Sequence, residues 1–416
     1  MRDDWVTKKL GDFSETINGL WTGKKEPYVS VKVYTMTNFS KESDLNQETE
    51  PREIMASLSQ YEKRKLNYGD ILIEKSGGGP NQPVGRAIIF NIKNDENNTF
   101  SNFTTRLRIN SKTNDSIFSY YIHKYLKYIY LIGETEKFQK NSTNIRNLQL
   151  KEYLQLEIPI PPIKEQKEIV EILDQAFESI EKAKANIEKN IENAKELFQS
   201  KLNQIFSHHQ EKGEEKTLGE IGTLTSSKRI FKKEYVSKGV PFYRSKEIKE
   251  LGNKKDISLE LFISENRYNE IKNKFGVPKK GDILLTAVGT IGEMYVVKED
   301  DKFYFKDGNI MWLKNFNNLN SYYLKYALTY FVEQLKAISR GSAYSALTIQ
   351  KLKAYSIPVP NIQKQKEIVE TLDILDNHIQ SLLVSYKEEL KNLEELKKSI
   401  LQKAFSGELT NKSFAA

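Results

Sequence analysis

Apolar residues at Ile169, Leu173, Ala176, Ile180, Ala183, Ile187, Ile191, Ala194, Phe198, Leu202 and Ile205 step along the middle of the chain by fours and threes. That spacing puts them on one stripe of a long helix, with a stutter wherever two steps of four meet. The same stripe returns 199 residues later at Ile368, Leu372, Leu375, Ile379, Leu382, Tyr386, Leu390, Leu393, Lys397, Leu401 and Ala404, and only Lys397 breaks it. A near-copy precedes each stripe: IPIPPIKEQKEIVEILD at 158–174 and IPVPNIQKQKEIVETLD at 357–373, identical at 12 of 17 positions. The chain is therefore an internal duplication.

Prolines set the start of both helices (Pro159, Pro161 and Pro162; Pro358 and Pro360), because proline restricts the residue before it and suits only a helix's first turn. The first helix is predicted from Ile163 to Phe206, a rod of roughly 65 Å at 1.5 Å per residue. A stripe that long needs a partner, and the other copy is nearest to hand. Ile169, Leu173, Ile180 and Ile187 on the first helix, and Ile368, Leu372, Leu375 and Ile379 on the second, are expected to be the packing residues of that seam. The alternative is a pair of unrelated dimerisation helices.

Outside the rods the pattern changes to short alternating or continuous apolar runs. In LNYGDILIEKSGGGPNQPVGRAIIF (66–90), Gly69-Asp70 turns the chain into a strand at 71–74, and Gly77 to Pro80 forms a loop before a strand at 84–90. A strand at 104–109 and an aromatic helix over 118–132 follow, with most of its tyrosines expected in the core. Residues 208–356 repeat the landmarks: Leu10-Gly11 answers to Leu218-Gly219, GDIL at 69–72 to GDIL at 281–284, and SYY at 119–121 to SYY at 321–323. The intervening loops differ in length. The expected order is a mixed α/β (α+β) domain at 1–157, a long helix at 158–207, a second α/β domain at 208–356, and a long helix with a tail at 357–416.

With 416 residues, 38% of them hydrophobic, the chain has material for two or three packed cores. It has no cysteine, which excludes disulfides and thiolate metal sites, and its four histidines lie in no metal-ligand spacing. No signal peptide or membrane span is visible, so a soluble cytoplasmic protein is expected. A formal charge of +8, with 22 Tyr and 20 Phe among the basic residues, suits a polyanion surface.

Catalytic motifs are missing. Gly19 to Lys24 is one residue short of a phosphate-binding loop and is followed by Lys25 where Ser or Thr should stand. The Gly77–Gly79 triplet opens no helix and is either a flexible hairpin or a close backbone approach to a phosphate. No Asn/Asp-Pro-Pro-aromatic motif for holding a flipped adenine occurs. The nuclease-like Glu165-Gln166-Lys167 has Lys364-Gln365-Lys366 as its twin, which lacks the acid. An enzyme is not expected.

Two α/β domains alternating with two long helices, and the repeated I-P-[IV]-P-x-I-x-x-Q-K-E-I-V-E-x-L-D, resemble the specificity subunit of type I restriction-modification systems over essentially the whole chain. The resemblance implies two target-recognition domains, each reading half of a bipartite site in double-stranded DNA. It also implies that the rods pack as an antiparallel coiled coil that spaces the half-sites and docks two methyltransferase subunits. S-adenosylmethionine would belong to those subunits, and ATP and Mg to separate restriction subunits. Half-sites read from one face of B-DNA lie near one turn, about 34 Å, apart.

Candidate DNA contacts come from loops at matching places: Lys75, Ser76, Asn81, Gln82 and Arg86 around the glycine loop, with Asn141, Ser142, Thr143, Asn144 and Arg146 before the first rod. In the second domain they are Arg244, Ser245, Lys246, Thr286, Thr290, Arg340, Ser342, Tyr344 and Ser345. Arg would pair with guanine, Asn or Gln with adenine, and Ser, Thr and Lys mostly with phosphate. The competing reading is a coiled-coil scaffold that binds protein and never touches DNA.

Overall fold

The computed structural model describes residues 4–21, 25–46, 48–79, 82–93, 96–110, 115–142, 145–207, 214–288, 291–299, 301–338 and 347–410. The chain forms two units: Met1–Ile187 with Lys387–Ala416, and Glu188–Tyr386. Each unit therefore holds one α/β domain, the beginning of the rod that follows it and the end of the other rod.

In the first unit a four-stranded antiparallel sheet runs in the order Ser14–Asn18, Thr104–Ile109, Ile71–Glu74, Ala87–Ile89. The predicted strand at 84–90 is thus shorter at both ends. Ile71 and Ile73 face helix Ser119–Leu131 and the rods, while Leu72 faces a second core with Tyr34, Phe90 and Phe100. Both faces are covered, which is why this strand reads as an unbroken apolar run. A second sheet, Arg52–Ser57, Tyr28–Tyr34, Asn98–Phe100, contains one parallel pairing. A third joins hairpin Gln139–Ser142/Ile145–Leu148 to Ser76–Gly78.

The second unit repeats this plan. Its main sheet is Thr223–Thr225, Ile310–Lys314, Ile283–Thr286, Met294–Val296, with Ile283 and Leu285 on one core and Leu284 on another. Its second sheet again has one parallel pair, Val240–Tyr243 with Tyr304–Phe305. In both units a strand before the domain closes antiparallel on the strand that leads into the rod: Val6–Lys9 on Glu157–Ile160, and Glu214–Thr217 on Ser356–Val359. The first proline of each repeated motif, Pro159 or Pro358, sits in that outgoing strand.

The shared landmarks have a physical basis. Gly69 and Gly281 have φ of 89° and 85°, and a Cβ on either would lie 3.1 or 3.0 Å from the hydroxyl of Ser119 or Ser321. The glycine of GDIL and the serine of SYY are one contact, kept in both copies. The neighbouring aspartates accept turn amides in the same way, Asn67 N–H to Asp70 at 2.7 Å and Lys279 N–H to Asp282 at 2.9 Å.

The rods span Ile163–Phe206 and Ile362–Ser406. Ile169, Leu173 and Ile180 share a core with Leu401, Ala404 and Phe405 in the first unit. Leu202 and Phe206 share one with Ile368, Val369 and Leu372 in the second. In each unit the start of one helix lies on the end of the other, which is antiparallel packing. Ile187 and Ile379 are buried and Leu375 is half-buried. The stripe is not uniform, since Leu382 is 44% exposed. Lys397, the apparent break, is 3% exposed.

The repeated glutamine explains the fixed seating of each domain. Gln166 accepts from Phe118 N–H at 2.8 Å and donates to the carbonyls of Ser116 and Pro161, both at 2.8 Å. Gln365 does the same with Asn320 N–H at 2.8 Å and the carbonyls of Asn318 at 3.1 Å and Pro360 at 2.8 Å. Both glutamines are fully buried. Beside them Tyr121 and Tyr323 donate to Pro159 O and Pro358 O at 2.8 and 2.7 Å. Their rings meet Phe405 and Phe206 respectively, each pair with centroids 5.5 Å apart.

Candidate nucleic-acid interface

In the first unit the candidate residues gather around strand Ser76–Gly78. Gly78 pairs with Arg146 and Ser76 with Asn147, so the glycine loop and the hairpin before the rod form one surface. Gly78 admits no side chain there, because a Cβ would stand 2.4 Å from Gln82 O. Ser76 donates to Asn147 at 2.6 Å, and Lys75 reaches Asn18 at 3.0 Å. Gln82 is exposed. Burial disfavours the charge on Lys75 and lowers its pKa, so an approaching phosphate would meet a cation that gains by pairing. Arg146 bonds Glu136 at 3.1 Å. Asn141 and Ser142 lie in the hairpin strand; Asn81, Thr143 and Asn144 fall outside the described residues.

Arg86 is not part of this surface. It is 6% exposed and makes a two-pronged bond to the buried Glu74, at 2.8 and 3.1 Å, across adjacent strands. A guanidinium committed to a buried carboxylate does not read a base. Thr286 is likewise withdrawn: it is fully buried, and its hydroxyl accepts from Glu293 N–H at 3.0 Å, closing a turn.

In the second unit Arg244, Ser245 and Lys246 open helix Ser245–Gly252. Arg244 bonds Glu247 and Glu260, each at 2.7 Å, and Lys246 bonds Glu260 at 2.9 Å. Glu260 is held below the usual carboxylate range by these bonds to Lys246 and Arg244, so the pair of cations is partly neutralised. Ser245 is half-buried, and its hydroxyl finds no partner among the described residues. Thr290, Arg340, Ser342, Tyr344 and Ser345 fall outside the described residues.

Sequence reasoning does not single out several exposed aromatics. Phe103 is 49% exposed at a turn whose carbonyl takes the N–H groups of Lys75 and Ser76 at 2.9 and 3.2 Å, and Trp21 is 66% exposed. In the second unit Lys228 sits 4.6 Å above the ring of Phe275, which is also 49% exposed. Exposed rings beside lysines suit nucleic-acid faces. No sequence signal separates them from core aromatics.

Among the described residues no group of His, Asp and Glu could hold a metal ion, and no helix is long and apolar enough to cross a membrane. The model of the type I restriction modification DNA specificity domain matches this chain twice, over residues 2–193 and 210–392. The chain belongs to that family. Its two matches repeat the division seen in the fold, one domain and the start of its rod in each.

Among relatives, the putative MjaX specificity subunit of Methanocaldococcus jannaschii is 24% identical over 431 residues, covering 99% of this chain and 95% of the relative. The putative specificity subunit S.HindORF215P of Haemophilus influenzae is 33% identical over 227 residues, 53% of this chain and 55% of the relative, so that match spans about half of each. The HsdS subunit from Thermoanaerobacter tengcongensis shares the fold at a TM-score of 0.61, with 18% identity and 98% of both chains covered. A chain solved in work on complex assembly and conformational transition of the type I R-M system reaches 0.76, also at 18% identity, covering 98% of this chain and 99% of that one. As a type I specificity subunit this protein serves DNA target recognition and is itself non-catalytic.

Proposed function

We propose that the subunit reads a bipartite site in double-stranded DNA, one half with each domain, and recruits two methyltransferase subunits and the restriction subunits. The observation that carries this is the duplication: each domain is seated by the same glutamine, tyrosine and phenylalanine contacts, while the loops above differ in length and sequence. Identical seating with different loops gives two readers of different sequence on one type of base. S-adenosylmethionine, ATP and Mg belong, in this reading, to the partner subunits. Partner docking has apolar surface to use on the rods of the second unit, where Leu197, Ile374 and Val384 are each more than half exposed.

The test is to exchange residues 208–356 for the equivalent domain of a relative and sequence the methylated motifs made with the modification partner. One half of the motif should change and the other stay. A swap that alters both halves, or methyl transfer by this chain alone, overturns the proposal. A protein-only scaffold would leave the methylated motif unchanged in every swap.

A further inference from the structure

Lys397 occupies a seam position that calls for an apolar side chain, yet its ammonium is buried and fully engaged. It donates to Glu42 and, at 3.2 Å, to Glu181 of the other rod, and it lies 5.2 Å from the ring centroid of Phe177. Glu42 also receives Lys184 at 3.2 Å, and Lys184 pairs with Glu394. Two residues on, Asp44 takes Lys127, whose side chain is 1% exposed. Burial works against the Glu42 carboxylate, but Lys397 and Lys184 hold it below its ordinary range.

Glu42 and Asp44 sit on a loop whose other side, through Phe39 and Leu45, packs into the domain's own core. A cleft of about 740 Å³ opens between this loop and the first rod, so ionic contacts and not apolar packing bridge the gap. The Gln166 clamp holds the domain at the start of the rod. Glu181 lies 15 residues further along, about 22 Å at 1.5 Å per residue. A body held at one point pivots, whereas a body held at two points has a fixed tilt.

We propose that the Lys397 network is this second anchor and that Lys397 is a positioning residue for DNA reading, setting the tilt of the first domain on the rods. The proposal rests on the reading that this domain recognises a half-site. The second domain is anchored differently. By the repeat, Lys397 answers to Phe198, which meets Tyr326 at 6.1 Å, and the Lys124–Asp174 ion pair at 2.5 Å answers to a Tyr326–Asp373 hydrogen bond at 2.5 Å. Further along that rod Lys254 of the domain, 66% exposed, lies 2.9 Å from Asn377 and 3.8 Å from Asp376. The buried ionic anchor belongs to the first half, and its loss should disturb that half alone.

The experiment uses the full chain with its modification partner, and the variants Lys397→Met, Glu42→Gln and Lys397→Arg. Sequencing of methylated motifs should show mixed spacer lengths or relaxed letters in the first half-site for Lys397→Met and Glu42→Gln, an unchanged second half-site, and recovery with Lys397→Arg. Hydrogen–deuterium exchange, read without DNA, should quicken at least tenfold over residues 40–46 while 163–170 keep their protection. A single unchanged spacer together with unrelaxed letters in the first half-site in both variants, or exchange at the wild-type rate over 40–46, overturns the proposal. Protection lost throughout the unit would overturn it too, since Lys397 would then be only a packing residue. If the wild-type complex methylates no bipartite motif, the half-site reading fails, and the exchange experiment still decides whether the anchor exists.

Discussion

Replacing Gln166 by leucine keeps the volume of the side chain and deletes its chemistry. Three hydrogen bonds of 2.8 Å are lost, and Phe118 N–H and the carbonyls of Ser116 and Pro161 stay behind in a site where the side chain is fully buried. Leaving a buried polar group unpaired costs roughly 1–3 kcal/mol, so three such groups put the loss near 3–6 kcal/mol after some relaxation. That is a large part of the 5–15 kcal/mol by which a domain of ordinary stability is folded. Gln166→Glu is the sharper variant. One oxygen can still accept from Phe118 N–H, but the other faces two carbonyl oxygens, and only a protonated carboxyl can donate there. Its folded-state pKa is thereby raised, so the variant should hold its stability below the normal glutamate pKa and lose it as pH rises through the raised value. Urea unfolding followed by tryptophan fluorescence reads this directly, because Trp5 donates to Glu165 next to the clamp at 3.3 Å. If both variants unfold within about 0.5 kcal/mol of wild type, or Gln166→Glu shows the wild-type pH response, the glutamine does not seat the domain.

Leu173→Asp places a charge in a fully buried seam position and should cost several kcal/mol, whereas Leu382→Asp, on a residue 44% exposed, should cost under about 1 kcal/mol; melting of the full chain measures both. His123 is buried between Ser43 O and Ala87 O, each 3.1 Å from Nε2, and burial, followed by the charge of Lys124, pulls its pKa down to about 4. A histidine lowered in the folded state contributes stability that is present above about pH 6.5 and is lost as pH falls towards 4, on the order of 3 kcal/mol at 1.4 kcal/mol per unit. Urea midpoints from pH 7 to pH 4 should therefore fall less steeply in His123→Gln than in wild type, and equal slopes would remove the histidine from the account.

The rods were legible because a long periodic stripe bounded by prolines has few other readings, and the helix found at Ile163–Phe206 has the predicted limits. The GDIL and SYY landmarks were legible as repeats but not as a contact, since 50 residues separate Gly69 from Ser119 along the chain and only the fold brings them together. The burial of Arg86 was hidden for a related reason. Its partner Glu74 sits 12 residues away on the neighbouring strand, and nothing in a loop-like sequence announces a buried pair. The parallel pairings Lys32↔Asn98 and Phe242↔Tyr304 were hidden because parallel neighbours need not be close in sequence. Exposed Phe103 and Phe275 are indistinguishable by type from the buried Phe90 and Phe303.

What the duplication kept and what it let go divide along a physical line. Gln166 and Gln365, Tyr121 and Tyr323, and Phe405 and Phe206 form the same contacts in both units, and all are buried groups whose loss leaves a donor, an acceptor or a cavity. Further along the rods the twins diverge in chemistry while keeping their positions: Lys124 with Asp174 becomes Tyr326 with Asp373, and Lys397 becomes Phe198. An ion pair and a phenol–carboxylate bond both join helix to rod, so either satisfies packing, but they differ in how firmly they hold direction. The seat of each domain is thus constrained by burial, whereas the contact further along the rod takes different chemistry in the two halves. On the proposed reading, a chain that presents two different readers on one repeated base needs that separation.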